Sequence, residues 1–192
     1  VEVKFAAGDA EVLQNTVDFI SFSYYSSKVV AADESQYEMA NGNIMRGLKN
    51  PYVEYTDYDY PIDPQGLRYV LNYLYDHFHK PLFVAENGIG AKDVLIVNAK
   101  GVKTVDDDYR IAYHQSHIAA MKQAIDDGVE VFGYTSWGPI DCISAASAEI
   151  SKRYGFVYVD LQPDGSGSLE RYRKKSFYWY RDCILSKGEI CE

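Results

Sequence analysis

The fold of this chain is decided by residues 81–88, whose sequence is PLFVAENG. The apolar run favours β-structure and predicts a strand buried on both faces, as in a parallel sheet covered by helices. The run ends on the carboxylate of Glu86, and the turn pair Asn87-Gly88 follows at once. α/β barrels carry catalytic groups at such strand ends, because the βα loops converge there. Taken alone, the stretch is equally compatible with a hairpin whose tip is Asn87-Gly88 and whose Glu86 is solvated.

Two further stretches, 17–25 and 129–137, are β-branched and aromatic runs that predict strands of the same kind. A helix with an apolar stripe is predicted over 67–78, between the first two strands. A second, longer helix is predicted over 109–127, between the second and third strands. The order strand, helix, strand is that of a βαβ unit, and its repetition predicts an α/β fold with about three parallel strands.

The predicted minor elements are a helix over 9–14, a small hairpin over 94–105, an extra strand over 153–161 and a final helix over 171–185. Residues 26–64 show little periodicity. A structureless loop of that length is uncommon in a compact domain unless it lines a functional site. We therefore expect one domain over residues 1–192.

Composition excludes several classes of function. The net charge of −9 argues against binding to nucleic acid, which depends on basic patches. The sequence contains no apolar run near the roughly 20 residues that a membrane helix needs and no signal-peptide pattern, so a cytoplasmic protein is expected. The three cysteines are odd in number and lack metal-ligand spacing, which favours reduced thiols. Eighteen tyrosines suit a surface that stacks on and hydrogen-bonds to carbohydrate.

A metal site is the first alternative to consider. His114 and His117 lie three residues apart on the long predicted helix and could ligate one ion. No third ligand is spaced to join them, and a pair on the helix surface is favoured. We expect no metal and no cofactor.

Six segments together resemble glycoside hydrolase family 1, in the order in which that family has them. They are DFISFSYY at 18–25, AENG at 85–88, HIAAM at 117–121, GYTSWG at 133–138, KRYGF at 152–156 and KKSFYWY at 174–180. Within the family, the pattern is similar to that of the bacterial enzymes that hydrolyse 6-phospho-β-D-glucosides. The resemblance implies that these segments form the last strands of a TIM (β/α)₈ barrel, so that this chain is an incomplete, C-terminal part of one.

The resemblance also implies a retaining glycosidase. Such an enzyme uses two carboxyl groups about 5–5.5 Å apart, a nucleophile and an acid/base. Glu86 matches the family's nucleophile. Tyr25 matches the tyrosine whose hydroxyl is expected to hydrogen-bond to that nucleophile and favour its ionised form. Without the resemblance, Tyr25 could be a buried aromatic residue with a satisfied hydroxyl.

The substrate-binding residues implied by the resemblance are Trp137, Ser144, Lys152 and Tyr154. Trp137 matches the aromatic platform under the sugar ring, although a Trp at a strand end is often a core residue. Ser144 replaces a Glu of the plain β-glucosidases, where a carboxylate would repel a phosphate of about −1.5 to −2 charges. Lys152 and Tyr154, matching the phosphate ligands, would share one face of a strand, whereas Arg153 would point away and form a surface ion pair. A solvated surface position is the alternative for Lys152.

Two neighbouring positions refine this expectation. Ala145 stands where 6-phospho-β-galactosidases have a Trp, which favours glucosides over galactosides. Ala146 stands where many relatives have a Ser that helps to hold the phosphate, so that either Ser147 substitutes or one contact is missing.

The chain lacks the Asn-Glu-Pro motif that supplies the family's acid/base, and only three of eight barrel strands are predicted. We therefore expect little or no hydrolysis by these 192 residues alone. The exposed edges of a three-stranded sheet predict self-association or pairing with a missing N-terminal part. A non-catalytic module that binds sugar phosphates is the alternative function.

Overall fold

A computed structural model describes residues 3–40, 47–145 and 147–191. The strands are β1 (Ile20–Ser23), β2 (Met39–Ala40), β3 (Gly47–Leu48), β4 (Glu54–Tyr55), β5 (Pro61–Ile62), β6 (Leu82–Asn87), β7 (Ile96–Val97), β8 (Lys103–Thr104), β9 (Val131–Ser136), β10 (Val157–Val159) and β11 (Arg171–Arg173). The α-helices are α1 (Asp9–Leu13), α2 (Pro64–Phe78), α3 (Asp108–Asp126) and α4 (Lys175–Leu185). Two 3₁₀ turns cover Glu34–Gln36 and Glu189–Cys191.

The centre of the fold is a parallel sheet in the order β1-β6-β9. Ile20 lies opposite Leu82, and Leu82 lies opposite Val131, so the three strands begin at the same edge. Their carboxyl ends consequently meet at the other edge, where the candidate site residues lie. The predicted α/β class and the three βα units are confirmed.

One face of the sheet is covered by α2 and α3. Leu67 and Leu71 of α2 pack with Leu82 and Val84 of β6 in the main apolar cluster, and all four are fully buried. The helix begins where the Asp63 carboxylate accepts a hydrogen bond from the Gly66 amide at 2.9 Å, which satisfies one free N–H of the first turn. Burial of this face fixes the register of the sheet and thereby the position of the strand ends.

The opposite face of the sheet carries aromatic side chains that stay partly open to solvent. The rings of Phe83 and Phe132 lie 5.3 Å apart, and Phe19 packs edge-on against Phe132 at 5.1 Å. Phe19 is 47% exposed and Phe132 is 54% exposed. In the described part of the chain, β1 and β9 are edge strands and the sheet does not close into a barrel.

The predicted final helix over 171–185 is wrong at its start. Residues 171–173 form β11, which pairs antiparallel with β10, and the helix begins only at Lys175. The pairing partner is distant in sequence, so a local pattern could not reveal it. The predicted strand over 153–161 is likewise shorter, and the described residues of 26–64 form two small antiparallel pairs, β2 with β3 and β4 with β5.

The expectation of a helix-surface histidine pair is wrong as well. His114 and His117 are buried, with 1% and 0% exposure. Their helix packs against α2 and α4, and His114 contacts Tyr134 of β9 and Tyr180 of α4. The His114 Nδ1 lies 3.0 Å from the Tyr134 hydroxyl, and the His117 Nδ1 donates to the Tyr113 carbonyl at 2.8 Å. Burial lowers the pKa of His114 to about 3 and that of His117 to about 4, so both rings are neutral at pH 7.

Among the described residues, no group of three or more His, Cys, Asp or Glu side chains is arranged to hold a metal ion. The same part of the chain contains no helix of the length and apolar character needed to cross a bilayer. All three cysteines are free thiols.

Candidate active site

Glu86 lies near the carboxyl end of β6 and is partly open to solvent. Tyr25 follows β1, the neighbouring strand, and its hydroxyl donates a hydrogen bond to Glu86 Oε2 at 3.0 Å. The register explains this contact, because Ser23 at the end of β1 lies opposite Glu86. Burial, reinforced by the hydrogen bond to Glu86, raises the pKa of Tyr25 above its ordinary value. The phenol therefore stays protonated and orients the carboxylate as a donor.

Asn87, at the end of β6, forms hydrogen bonds to residues near the ends of the other two strands. Its side chain is fully buried; the Nδ2 donates to the Tyr24 carbonyl at 2.8 Å and to the Tyr113 hydroxyl at 3.1 Å. The Oδ1 accepts from the Tyr134 hydroxyl at 2.7 Å. The sequence predicts Asn87 as a turn residue and does not reveal this role, which depends on partners directly after β1, in α3 and in β9.

The loop after β6 packs against three of the other candidate residues. A Cβ added at Gly88 would lie 3.6 Å from the Cβ of Trp137. A Cβ added at Gly90 would lie 2.8 Å from Lys152 Cγ and 2.9 Å from Tyr154 Cζ, closer than carbon atoms normally approach. Glycine at position 90 thus allows the backbone to pass directly under both side chains.

Lys152 is only 3% exposed, so the alternative of a solvated surface lysine does not hold. Its Nζ lies 4.2 Å from the ring centroid of Tyr60, 5.2 Å from that of Tyr58 and 6.0 Å from that of Tyr154. Within the described part of the chain, the ammonium makes no salt bridge. A buried ammonium that no carboxylate contacts directly is costly, and a bound anion would reduce that cost. Sequence reasoning missed the contribution of Tyr58 and Tyr60, which lie far from Lys152 along the chain.

Ser144 is buried in a tight loop in which its amide donates to the Glu149 carbonyl at 2.9 Å. Its hydroxyl oxygen lies 3.0 Å from that of Ser147, and the Ser147 hydroxyl donates to the Glu149 carboxylate at 2.8 Å. Hydrogen bonds from Ser147 and Ser151, together with the nearby Lys152, lower the pKa of Glu149. Ser144 is therefore linked to Lys152 through Glu149, and Ser147 is engaged with its own neighbours. The expectation for Ala146 falls outside the described residues.

Arg153 corrects one prediction. Its ion pair is buried rather than at the surface, because the side chain is only 3% exposed. The Nη1 atom donates to Asp141 Oδ2 at 3.0 Å and to the Val159 carbonyl at 2.8 Å. Alternation along the segment directs Arg153 into the protein interior, away from Lys152 and Tyr154.

A buried network of ion pairs lies next to the candidate site. It contains three cations and three carboxylates with at most 4% side-chain exposure: Arg110, Arg153, Lys174, Asp93, Asp107 and Asp141. The Nη1 atom of Arg110 also donates to the carbonyls of Ile89 at 2.7 Å and Tyr154 at 3.2 Å. The guanidinium therefore holds the loop after β6 against the segment that carries the candidate phosphate ligands.

The fold and this site define a class of protein. The family model for glycosyl hydrolase family 1 matches residues 1–189, and the chain belongs to that family. Among solved structures, a family 1 β-glucosidase from Thermotoga maritima superposes with a TM-score of 0.75 and 28% identity, covering 94% of this chain and 37% of that one.

Curated relatives are more similar in sequence. A 6-phospho-β-glucosidase of Clostridium longisporum is 53% identical over 192 residues, which cover all of this chain and 41% of that protein. A 6-phospho-β-glucosidase of Dickeya chrysanthemi is 54% identical over 189 residues, covering 98% of this chain and 40% of that protein. The chain thus spans about two fifths of the length of these relatives.

Proposed function

We propose that this chain belongs to an enzyme that hydrolyses β-glucosidic bonds in 6-phospho-β-D-glucosides with retention of configuration. One observation carries the proposal: the Glu86–Tyr25 pair lies at a strand end, beside a loop that also packs against the side chain of the buried Lys152. A carboxylate beside an anion pocket fits a phosphorylated sugar. The names of the relatives, which are 50% identical or more, support the same substrate class.

In this mechanism, Glu86 attacks the anomeric carbon while a general acid protonates the leaving glycosidic oxygen. The hydrogen bond from Tyr25 keeps the attacking carboxylate ionised and correctly oriented. Water, deprotonated by the same acid/base residue, then attacks the anomeric carbon of the glycosyl-enzyme. Glu86 is released and the configuration at that carbon is retained.

Substrate selection follows from the residues around the loop after β6. Trp137 packs under the sugar ring, while Ser144, Lys152 and Tyr154 hold the 6-phosphate. Burial, together with the nearby Tyr60 hydroxyl, raises the pKa of Tyr154, so its phenol is a hydrogen-bond donor. An ammonium and two hydroxyl groups suit a dianion better than a neutral hydroxymethyl group. The nearby Glu149 carboxylate already accepts hydrogen bonds from Ser147 and Ser151. Ala145 leaves room for the equatorial O4 of a glucoside.

We infer that the acid/base comes from the part of the relatives that this chain does not span. The open edges of β1 and β9 and the exposed rings of Phe19 and Phe132 would be covered when further βα units close the barrel. The isolated chain should therefore self-associate and hydrolyse little substrate. A monodisperse monomer in light scattering, or rapid turnover of a 4-nitrophenyl 6-phospho-β-glucoside by the isolated chain, would contradict this inference.

The test of the proposed function compares two substitutions in the complete gene product. Glu86→Gln removes the nucleophile, whereas Glu130→Gln removes an exposed carboxylate at the opposite edge of the sheet. We expect kcat to collapse only in Glu86→Gln, with binding of glucose 6-phosphate retained in both variants. Unchanged turnover in Glu86→Gln would refute the nucleophile assignment. A complete protein that binds the sugar phosphate but turns over no substrate would instead favour the non-catalytic binding module.

A further inference from the structure

The described residues contain a buried hydroxyl with no hydrogen-bond partner beside the candidate phosphate pocket. It is the Oη of Tyr58, in the stretch 26–64 that the sequence predicts to line a functional site. Buried polar groups almost always find a partner, so an orphan of this kind calls for an absent ligand, ion or water. The position of Tyr58 decides between these possibilities.

Tyr58 is held in a rigid turn between β4 and β5. The Thr56 hydroxyl accepts from the amides of Tyr58 and Tyr60, both at 3.2 Å, and the Thr56 amide donates to the Tyr60 carbonyl at 2.9 Å. Asp59, between the two tyrosines, takes up a left-handed backbone conformation with φ of 63°. The turn therefore fixes the rings of Tyr58 and Tyr60 where they meet Lys152.

The ring of Tyr58 lies near two cations. Lys152 Nζ is 5.2 Å from its centroid, and the Nζ of the exposed Lys92 is 5.7 Å from the same centroid. Both distances fall in the range of cation–π attraction. An anion that meets the Lys152 ammonium therefore comes close to the Tyr58 ring and to a second positive charge.

The hydroxyl is in the state needed to donate. Burial raises the pKa of Tyr58, and the carboxylates of Glu149 and Asp57 act in the same direction. Arg153 and the nearby Ser151 hydroxyl act in the opposite direction, but the Ser151 hydroxyl donates to Glu149 at 2.8 Å. The Glu149 carboxylate, which would repel a phosphate, is at the same time occupied by the hydroxyls of Ser147 and Ser151.

We propose that Tyr58 is a further phosphate-binding residue, whose hydroxyl donates to the 6-phosphate of the substrate while its ring positions Lys152. This proposal rests on the proposed function. A phosphate has three acceptor oxygens, enough to accept from Lys152, Tyr154 and Tyr58 together. Tyr58 would thereby supply the contact that the alanine at position 146 cannot make, from a different segment of the chain.

The test is Tyr58→Phe in the complete gene product, which removes the hydroxyl and keeps the ring. Tyr52→Phe, at a residue that is 92% exposed, is the matched control. We expect KM for 4-nitrophenyl 6-phospho-β-glucoside to rise about tenfold in Tyr58→Phe only, since one hydrogen bond to a charged group is lost. The kcat value, and kcat/KM for the unphosphorylated glucoside, should stay close to those of the wild type.

A second readout separates a ligand contact from a structural role. Because the Tyr58 hydroxyl has no partner to lose, Tyr58→Phe should be as stable as the wild type or more stable in thermal unfolding. Its binding of glucose 6-phosphate, measured by calorimetry in the Glu86→Gln background, should weaken by the same factor as KM rises. An unchanged KM, or a loss of stability with kcat reduced on both substrates, would overturn the assignment of Tyr58 and leave the proposed function intact. A wild type that shows no preference for the phosphorylated substrate would overturn both.

Discussion

Two consecutive lysines test how strongly the buried ionic network stabilises the site. Lys174 has a fully buried side chain and contacts the buried carboxylates of Asp93 and Asp141, the latter at 2.7 Å. Lys175 has a 50% exposed side chain and contacts the exposed carboxylate of Asp108 at 2.8 Å. The two lysines differ little in sequence context and completely in environment. Substitution of each by Met removes one positive charge and keeps most of the side-chain volume.

The expected magnitudes follow from burial. Lys174→Met leaves three buried carboxylates facing only two cations, and loss of one partner from a buried ion pair costs about 3–5 kcal/mol of unfolding free energy. Burial and the neighbouring Arg110 lower the pKa of Lys174, whereas Asp93 and Asp141 act in the opposite direction. The positive charge of Lys174 therefore depends on these two carboxylates. Lys175→Met should leave stability unchanged within error, because water screens exposed ion pairs.

The assay is urea unfolding of the wild type and both variants in the complete gene product, followed by circular dichroism at pH 7. We expect the midpoint to fall strongly in Lys174→Met and to stay unchanged in Lys175→Met, with similar m-values in all three proteins. Equal midpoints in the two variants would refute the reasoning, since the network would then contribute no more than a surface ion pair. Lys174→Arg, which restores the charge, should recover part of the loss.

Three further predictions concern other parts of the molecule. Because the pKa values of His114 and His117 are about 3 and 4 in the folded state, the unfolded state binds more protons between pH 6.5 and 4. The full free energy of unfolding should be present above pH 6.5 and should fall as the pH is lowered through that window. Each histidine should contribute a decrease of up to about 1.4 kcal/mol per pH unit, measured as a shift of the urea midpoint. Tyr25→Phe, which removes the hydrogen bond to Glu86, should lower kcat about ten- to a hundredfold without a change in melting temperature. Ser144→Glu should raise KM for the phosphorylated substrate about a hundredfold by charge repulsion, measured against the unphosphorylated glucoside.

The sequence correctly predicts those strands and helices whose hydrophobic pattern lies within a single segment of the chain. The apolar runs of β1, β6 and β9 and the amphipathic stripe of α2 each lie within one segment, and all four elements are confirmed. The position of Glu86 at a strand end follows from the same pattern. Residues 171–173 show the limit of local prediction. They form a strand only by pairing with β10, whereas the local pattern predicts a helix there.

The environment of a charged or aromatic side chain is the second limit. Nothing in the sequence distinguishes the buried Lys174 from the exposed Lys175, or shows that Lys152 lies against the rings of Tyr58 and Tyr60. The contacts of Lys152 join segments that are more than 80 residues apart in the sequence. Lys174 belongs to a network of opposite charges from several segments. Only the packed fold brings either set of residues together. That the Tyr58 hydroxyl has no hydrogen-bond partner among the described residues is a property of the folded chain and has no signal in the sequence.

The most direct test of the central claim is covalent trapping of the complete gene product with a 2-deoxy-2-fluoro-β-glucoside 6-phosphate that carries a good leaving group. The fluorine slows hydrolysis of the glycosyl-enzyme, so the intermediate of a retaining enzyme accumulates. We predict one added 6-phospho-2-fluoroglucosyl group per active site, located by peptide mass spectrometry on Glu86. An adduct on another carboxylate, or rapid turnover without any adduct, would contradict the account.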